Sequence, residues 1–178
     1  MPRHKWLLAL GLTIVVVACI GVAISQRGSR MRYTSTTAIA RPAAAIFPLL
    51  TEPEQLKRWI GGLESSVPLT EGGLRLGARS RETVVEGGRR MAMDSEVVEL
   101  DPPRLIAVTL AGADAQGLVR YTLDEATGGT TLVYEVELRF KGLMALFAPL
   151  AQGSAQAKVD SDLARLKALA ESTAMSIP

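Results

Sequence analysis

From Leu63 to Phe140 the chain repeats one pattern: alternating apolar and polar residues, then a cluster of turn formers. Leu132, Tyr134, Val136, Leu138 and Phe140 fall on one side of such a stretch, and Glu135, Glu137 and Arg139 on the other. Val119, Tyr121 and Leu123 alternate with Arg120, Thr122 and Asp124 in the same way. Period two belongs to an extended strand, whose successive side chains point to opposite faces. One wet and one dry face indicate an antiparallel sheet covered on one side. The candidate strands are 63–70, 76–86, 89–100, 104–111, 117–124 and 130–140. Turn chemistry separates them: Glu71-Gly72-Gly73, Gly87-Gly88, Asp101-Pro102-Pro103, Gly112 to Gln116, and Thr127-Gly128-Gly129.

An earlier strand is predicted from Tyr33 to Ala40, where Tyr33, Ser35, Thr37 and Ile39 alternate with their neighbours. Pro42 and an Ala run then open a helix, which Pro48 is expected to cut or kink. A second short helix runs from Glu52 to Ile60, with Pro53 at its start, Leu56, Trp59 and Ile60 on one side, and Gly61-Gly62 after it. Near the C-terminus Val159, Leu163, Leu166 and Ala170 recur at helical spacing, with Lys158, Asp162, Arg165 and Lys167 elsewhere on the wheel. Pro149 and Gly153 make an irregular opening over Leu143–Gly153, and the regular helix then continues to Ser172. That helix is the cover the dry face requires. The fold class is α+β: a curved antiparallel sheet of about seven strands wrapped on a long C-terminal helix.

The N-terminus is different material. Leu7 to Ile24 are 18 consecutive uncharged residues, eleven of them Leu, Ile or Val. As a helix they would span about 27 Å, close to the hydrocarbon thickness of a bilayer. Trp6 stands at the edge, where an indole suits the interface. The run exceeds the usual apolar core of a signal peptide, so a retained single-pass membrane anchor over residues 1–26 is the leading expectation. Two alternatives stand beside it. Ala23-Ile24-Ser25 offers a cleavage site, and Val16-Val17-Ala18-Cys19 resembles a lipobox, although the apolar residues after Cys19 fit lipidation poorly. Arg3 and Lys5 precede the run and Arg27, Arg30 and Arg32 follow it, a charge balance that leaves the side of the soluble domain open. Residues 27–32 read as a basic linker, 33–172 as the folded domain and 173–178 as a tail.

Composition narrows the chemistry. With 178 residues, 48% of them hydrophobic, the chain can bury one substantial core. A net charge of +2 argues against a nucleic-acid binder, which needs a concentrated basic face. The lone Cys19 and lone His4 exclude an intrachain disulfide, a zinc-finger ligand set, and a His-dependent catalytic or metal site in the folded domain, so no cofactor or metal is expected. Glu82, Arg81 and Asp94 read as solvent-face strand charges, and Asp160 and Asp162 as a solvated helix face. No catalytic residue is assigned, and the glycine pairs are turn glycines that match no phosphate loop.

Four segments in order carry a resemblance: Ile39-Ala40-Arg41-Pro42 leading into Ile46-Phe47; Leu50-Thr51-Glu52-Pro53 with Trp59; Glu96-Val97-Val98-Glu99-Leu100-Asp101-Pro102-Pro103-Arg104-Leu105; and the closing helix after Phe140-Lys141-Gly142. With them the chain resembles the START/Bet v 1-like superfamily, also called SRPBCC or polyketide cyclase/dehydrase and lipid-transport, over about residues 33–172. Arg32-Tyr33 after a leading membrane helix resembles its bacterial members. The resemblance implies a helix-grip fold and a cavity between sheet and C-terminal helix for a lipid- or polyketide-like molecule. Strand parity and the helix wheel then nominate Trp59, Met91, Met93, Tyr121, Tyr134, Phe140, Met144, Phe147 and Leu150 as wall residues, each of which could equally be core filler. The tyrosines pair an apolar body with a hydroxyl and are the best candidates for orienting a ligand. Membrane-anchored binding or transport is thus the first expectation. A cyclase- or dehydratase-like enzyme and a non-enzymatic interaction module are the alternatives, the enzyme requiring an ionisable side chain inside the cavity.

Overall fold

The computed structural model describes residues 29–142, 144–147 and 152–172. In chain order the elements are β1 (Ser29–Ile39), α1 (Ala43–Thr51), α2 (Pro53–Trp59), β2 (Leu63–Pro68), β3 (Arg79–Glu86), β4 (Arg89–Asp101), β5 (Leu105–Gly112), β6 (Ala115–Ala126), β7 (Gly129–Phe140), α3 (Met144–Phe147) and α4 (Gln152–Ser172). The strands form one seven-stranded sheet in the order β1-β7-β6-β5-β4-β3-β2. Every neighbouring pair is antiparallel. The alternation read from the sequence sets the faces: Val119, Tyr121, Leu123, Leu132 and Val136 are buried together, with Tyr134, Leu138 and Phe140 packed against them.

Helix α4 lies across the β1 end of the sheet. Val159, Leu163, Leu166 and Ala170, the predicted apolar stripe, are all in the core. Polar contacts fix its position: Ser35 Oγ donates to Asp160 Oδ1 at 2.8 Å, Lys167 Nζ to the Ala38 carbonyl at 2.6 Å, and the Ala40 amide to Glu171 Oε1 at 2.9 Å.

Several boundaries differ from expectation. β1 starts at Ser29, so residues 29–32 of the expected basic linker are strand. Met31 is buried opposite Leu138, and Arg32 pairs with Glu137 at 2.6 Å, which is why the strand extends there. β2 and β3 are shorter than predicted and leave a longer loop over 69–78, in which Gly72, Gly73 and Gly77 have positive φ. Helix α1 continues through Pro48 to Thr51. Only one intrahelical donor is lost there, and Thr51 Oγ1 bonds back to the Phe47 carbonyl. The membrane run expected over residues 7–24 lies outside the described residues; among those described, no helix is long and apolar enough to cross a membrane.

The largest correction concerns Asp162, which is 6% exposed and not on a solvated face. Its Oδ1 accepts from the Gly61 amide at 3.0 Å and from Arg165, and its Oδ2 accepts from Lys158 Nζ at 3.0 Å. Lys158 Nζ also donates to the Gly61 carbonyl at 2.6 Å, and Arg165 Nε to the Trp59 carbonyl at 2.9 Å. Three residues about one turn apart on α4 thus satisfy the backbone groups orphaned where α2 ends. Trp59 passes the link onward by donating Nε1 to the Leu49 carbonyl of α1 at 2.8 Å. A Cβ at Gly61 would lie 2.6 Å from Arg165 Nη2 and 3.1 Å from Asp162 Oδ1, so a side chain there would have to push the clamp's own side chains aside.

Asp162→Ala should therefore destabilise the full chain by about 1–3 kcal/mol in urea unfolding, the cost of stripping hydrogen-bond partners from buried groups. Leu166→Ala, a fully buried truncation, should cost about 2–5 kcal/mol and calibrates the measurement. An Asp162→Ala effect below about 0.5 kcal/mol, typical of a surface change, would show that the clamp contributes nothing.

Candidate functional site

The β3–β4 hairpin sets one wall of the site. Gly87 and Gly88 form its two-residue turn with φ of +55° and +77°, the doubly left-handed geometry that favours glycine and matches strand twist. The register that follows places Glu82 opposite Met93 and Ser80 opposite Ser95. Directly opposed residues share a face, so all four side chains point the same way.

That face lines a half-open cavity of about 380 Å³. Val97, Ile106, Val108, Leu110, Val119, Tyr121 and Tyr134 form its floor across four strands, and Leu50, Leu56 and Ile60 of α1, α2 and the turn after them form its roof. Pro68, Thr70, Gly73 and Leu74 from the end of β2 and the 69–78 loop stand at its rim. The cavity was expected between sheet and C-terminal helix. None of its described lining residues comes from α4, whose stripe is fully engaged at the β1 end. The short helices span the remaining width of the sheet and leave a gap beneath them.

Polar groups in the cavity are few. Ser80 Oγ and Ser95 Oγ lie 2.9 Å and 3.2 Å from Glu82 Oε1 and share a hydrogen bond of 2.8 Å, so one hydroxyl donates to the other and the other donates to the carboxylate. Glu82 Oε2 is buried without a hydrogen-bond partner. Its charge suggested solvent; the hairpin register brings it inside. Its neighbour Arg81 does face outward, with Nε 2.7 Å from Asp94 Oδ1, and this pairing holds the Asp94 carboxyl below its ordinary range. On the floor the Tyr121 and Tyr134 rings stack at 4.7 Å, and Trp59 meets Tyr121 edge-to-face at 6.2 Å.

Of the residues nominated from sequence, Met93, Tyr121 and Tyr134 line the cavity. Trp59 is buried behind the wall, against Tyr121. Met91 has inward parity but lies toward the hairpin end, 38% exposed and beyond the cavity. Phe140 packs against the core at the end of β7, and Met144 is half-buried in α3. Phe147 belongs to α3 with its side chain outside what the structure describes, and Leu150 lies outside the described residues altogether. The sequence reading missed Glu82, Ser80, Ser95 and the α1–α2 roof. Gly87-Gly88 was the available signal: a two-residue hairpin makes Met93 and Glu82 cross-strand partners, so both must be inside or both outside.

Burial raises the phenol of Tyr121 well above its ordinary value and that of Tyr134 to about 12, with Tyr33 also raised by desolvation. These are the only 3 tyrosines in the chain. A phenol that ionises later when folded than when unfolded contributes stability that is complete below the unfolded value of 10.0 and is lost as pH climbs towards about 12. An alkaline titration of the full chain should therefore show little phenolate absorbance at pH 10, followed by a rise that coincides with unfolding. Phenolate absorbance at pH 10 in the folded protein beyond that of one tyrosine, the share Tyr33 can supply, would contradict the buried stack.

Residues 30–171 match the family described as polyketide cyclase / dehydrase and lipid transport. Among solved structures the chain is similar to a protein from Thermus thermophilus, with 21% identity and a TM-score of 0.68 over 83% of this chain and 100% of that one. It is also similar to a Rhizobium leguminosarum protein, with 17% identity and a TM-score of 0.65 over 81% and 96% of the two chains. The structure of Ara h 8.0201 gives 18% identity and a TM-score of 0.63 over 81% and 99%. At such identities the likeness is one of fold. No curated protein matches the chain. Since the family match runs from β1 to the last turn of α4, and the curved sheet with its C-terminal helix is the helix-grip architecture, the chain belongs to the polyketide cyclase/dehydrase and lipid transport family of the START/Bet v 1-like (SRPBCC) superfamily.

Proposed function

We propose that the protein binds or carries a hydrophobic small molecule, lipid- or polyketide-like, in the cavity under α1 and α2, and that residues 7–24 hold it at a membrane. The observation that carries this reading is the half-open cavity of about 380 Å³, within the size range of small-molecule sites and walled mainly by aliphatic and aromatic side chains. Each methylene buried there contributes about 0.8 kcal/mol, so an apolar guest needs few polar contacts.

The rim supports placing the protein at a bilayer. Val67, Leu69, Leu74 and Leu76 are 52%, 45%, 43% and 60% exposed, and all lie on β2 or the loop beside the cavity mouth. Clustered exposed apolar side chains are costly in water and favourable against lipid. A guest could then leave a membrane and enter the cavity without crossing open water.

A cyclase- or dehydratase-like enzyme is the second reading. It gains from Glu82, an ionisable group on the cavity wall beside two hydroxyls.

Solvent extraction of the purified full chain should release an apolar compound. Val108→Phe, which adds bulk to the floor, should lower its amount at least about fivefold while unfolding stays cooperative. An extract empty of apolar compounds, together with failure to bind any apolar fluorescent probe, would remove the carrier reading. Intact mass of the protein taken from membranes should equal that of the unprocessed chain; loss of the leading segment, or an acyl addition on Cys19, would replace the anchor with a cleaved peptide or a lipoprotein.

A further inference from the structure

Glu82 is the single carboxylate among the described residues lining the cavity, and it forms no ion pair among those residues. Both serine hydroxyls that reach it point at Oε1. Each hydroxyl has one proton; with the two 2.8 Å apart, one proton serves the other hydroxyl and one serves Oε1, and neither reaches Oε2. Oε2 is left buried and unpartnered on a wall that is otherwise mostly aliphatic. A charged carboxylate oxygen in such a place is stabilised when something supplies a donor or a positive charge. The lone base on the lining, Arg79, does not fill that role: it is half-exposed and its guanidinium lies 3.8 Å from Asp94 on the outer face. Tyr121 and Tyr134, stacked on the floor of the same cavity, add aromatic surface of the kind that suits a cation.

We infer that the Glu82 carboxylate is an anchoring site for a protonated amine, so that the cavity selects hydrophobic molecules with one basic nitrogen over neutral or acidic ones of the same shape. This rests on the hydrophobic-carrier reading and adds the head group. The serines act as positioning residues: they hold the Oε1 edge of the carboxylate and leave Oε2 without a partner.

The test uses three probes of one shape: 1-naphthylmethylamine, 1-naphthylmethanol and 1-naphthoic acid. Each is titrated calorimetrically into the full chain held in phosphatidylcholine nanodiscs, with empty discs as reference, and into Glu82→Gln in the same discs. The wild type should bind the amine about tenfold or more tighter than the alcohol, the size of a charge-assisted hydrogen bond, and the acid most weakly. Glu82→Gln should abolish the amine's advantage and leave the alcohol within about twofold of wild type. Equal binding of amine and alcohol by the wild type, tightest binding of the acid, or an amine advantage that survives in Glu82→Gln would each overturn the inference while leaving the carrier reading intact. A variant that weakens amine and alcohol equally would overturn the preference for charge. No binding of any of the three probes by the wild type would overturn the inference, and the extraction experiment then decides the carrier reading.

Discussion

A seven-stranded sheet with one dry face is wider than a helix lying along its strands can cover, and α4 runs along β1, from Ser35 at Asp160 to Ala40 at Glu171. Neighbouring strands lie about 4.8 Å apart, so seven of them span roughly 29 Å, whereas a helix with its side chains covers about 10–12 Å. Helix α4 takes the β1 end, where Leu163 and Leu166 meet the core and Lys167, Asp160 and Glu171 are tied to β1 and the turn after it. The other strands must be roofed by something shorter. Helices α1 and α2 supply 9 and 7 residues, bridge the gap, and do not fill it. The cavity follows from that mismatch of widths.

The roof is held from the side. Asp162, Lys158 and Arg165 reach from α4 to the carbonyls and amide at the end of α2, and Trp59 continues the contact to α1. Packing from below would close the cavity; a lateral tether lets the helices stand off the sheet. Trp59 joins two roles here, since its indole N–H fixes α1 while its ring supports the Tyr121–Tyr134 stack on the floor. Anything that loosens the clamp should reach the cavity through Trp59 and through Ile60, the roof residue between the two clamped positions.

Much of the fold was legible because side-chain parity and helical period are local properties. Leu132 and Val136 on β7, Val119 and Leu123 on β6, and the stripe from Val159 to Ala170 have interior spacing and lie in the interior. Differences arise where a neighbour in space decides. Asp162 has the spacing of a solvated helix charge, yet the end of α2 lies against it and buries it. Ser29 to Arg32 have the composition of a linker, yet β7 extends far enough to pair with them. Glu82 is the instructive case. Its charge points to solvent, while the Gly87-Gly88 turn already makes it the partner of Met93. Register is the stronger of these two constraints, because a one-residue slip would turn every side chain of the strand over.

The α+β class, the strand-by-strand alternation, the helical cover and the family are written in local stretches of the chain, because each depends on residues close together along it. Where the cavity lies, what roofs it and which polar groups it contains emerge only once the elements are assembled. Those depend on the width of the sheet left bare by α4 and on the cross-strand register of β3 and β4, distances between elements that no local pattern encodes.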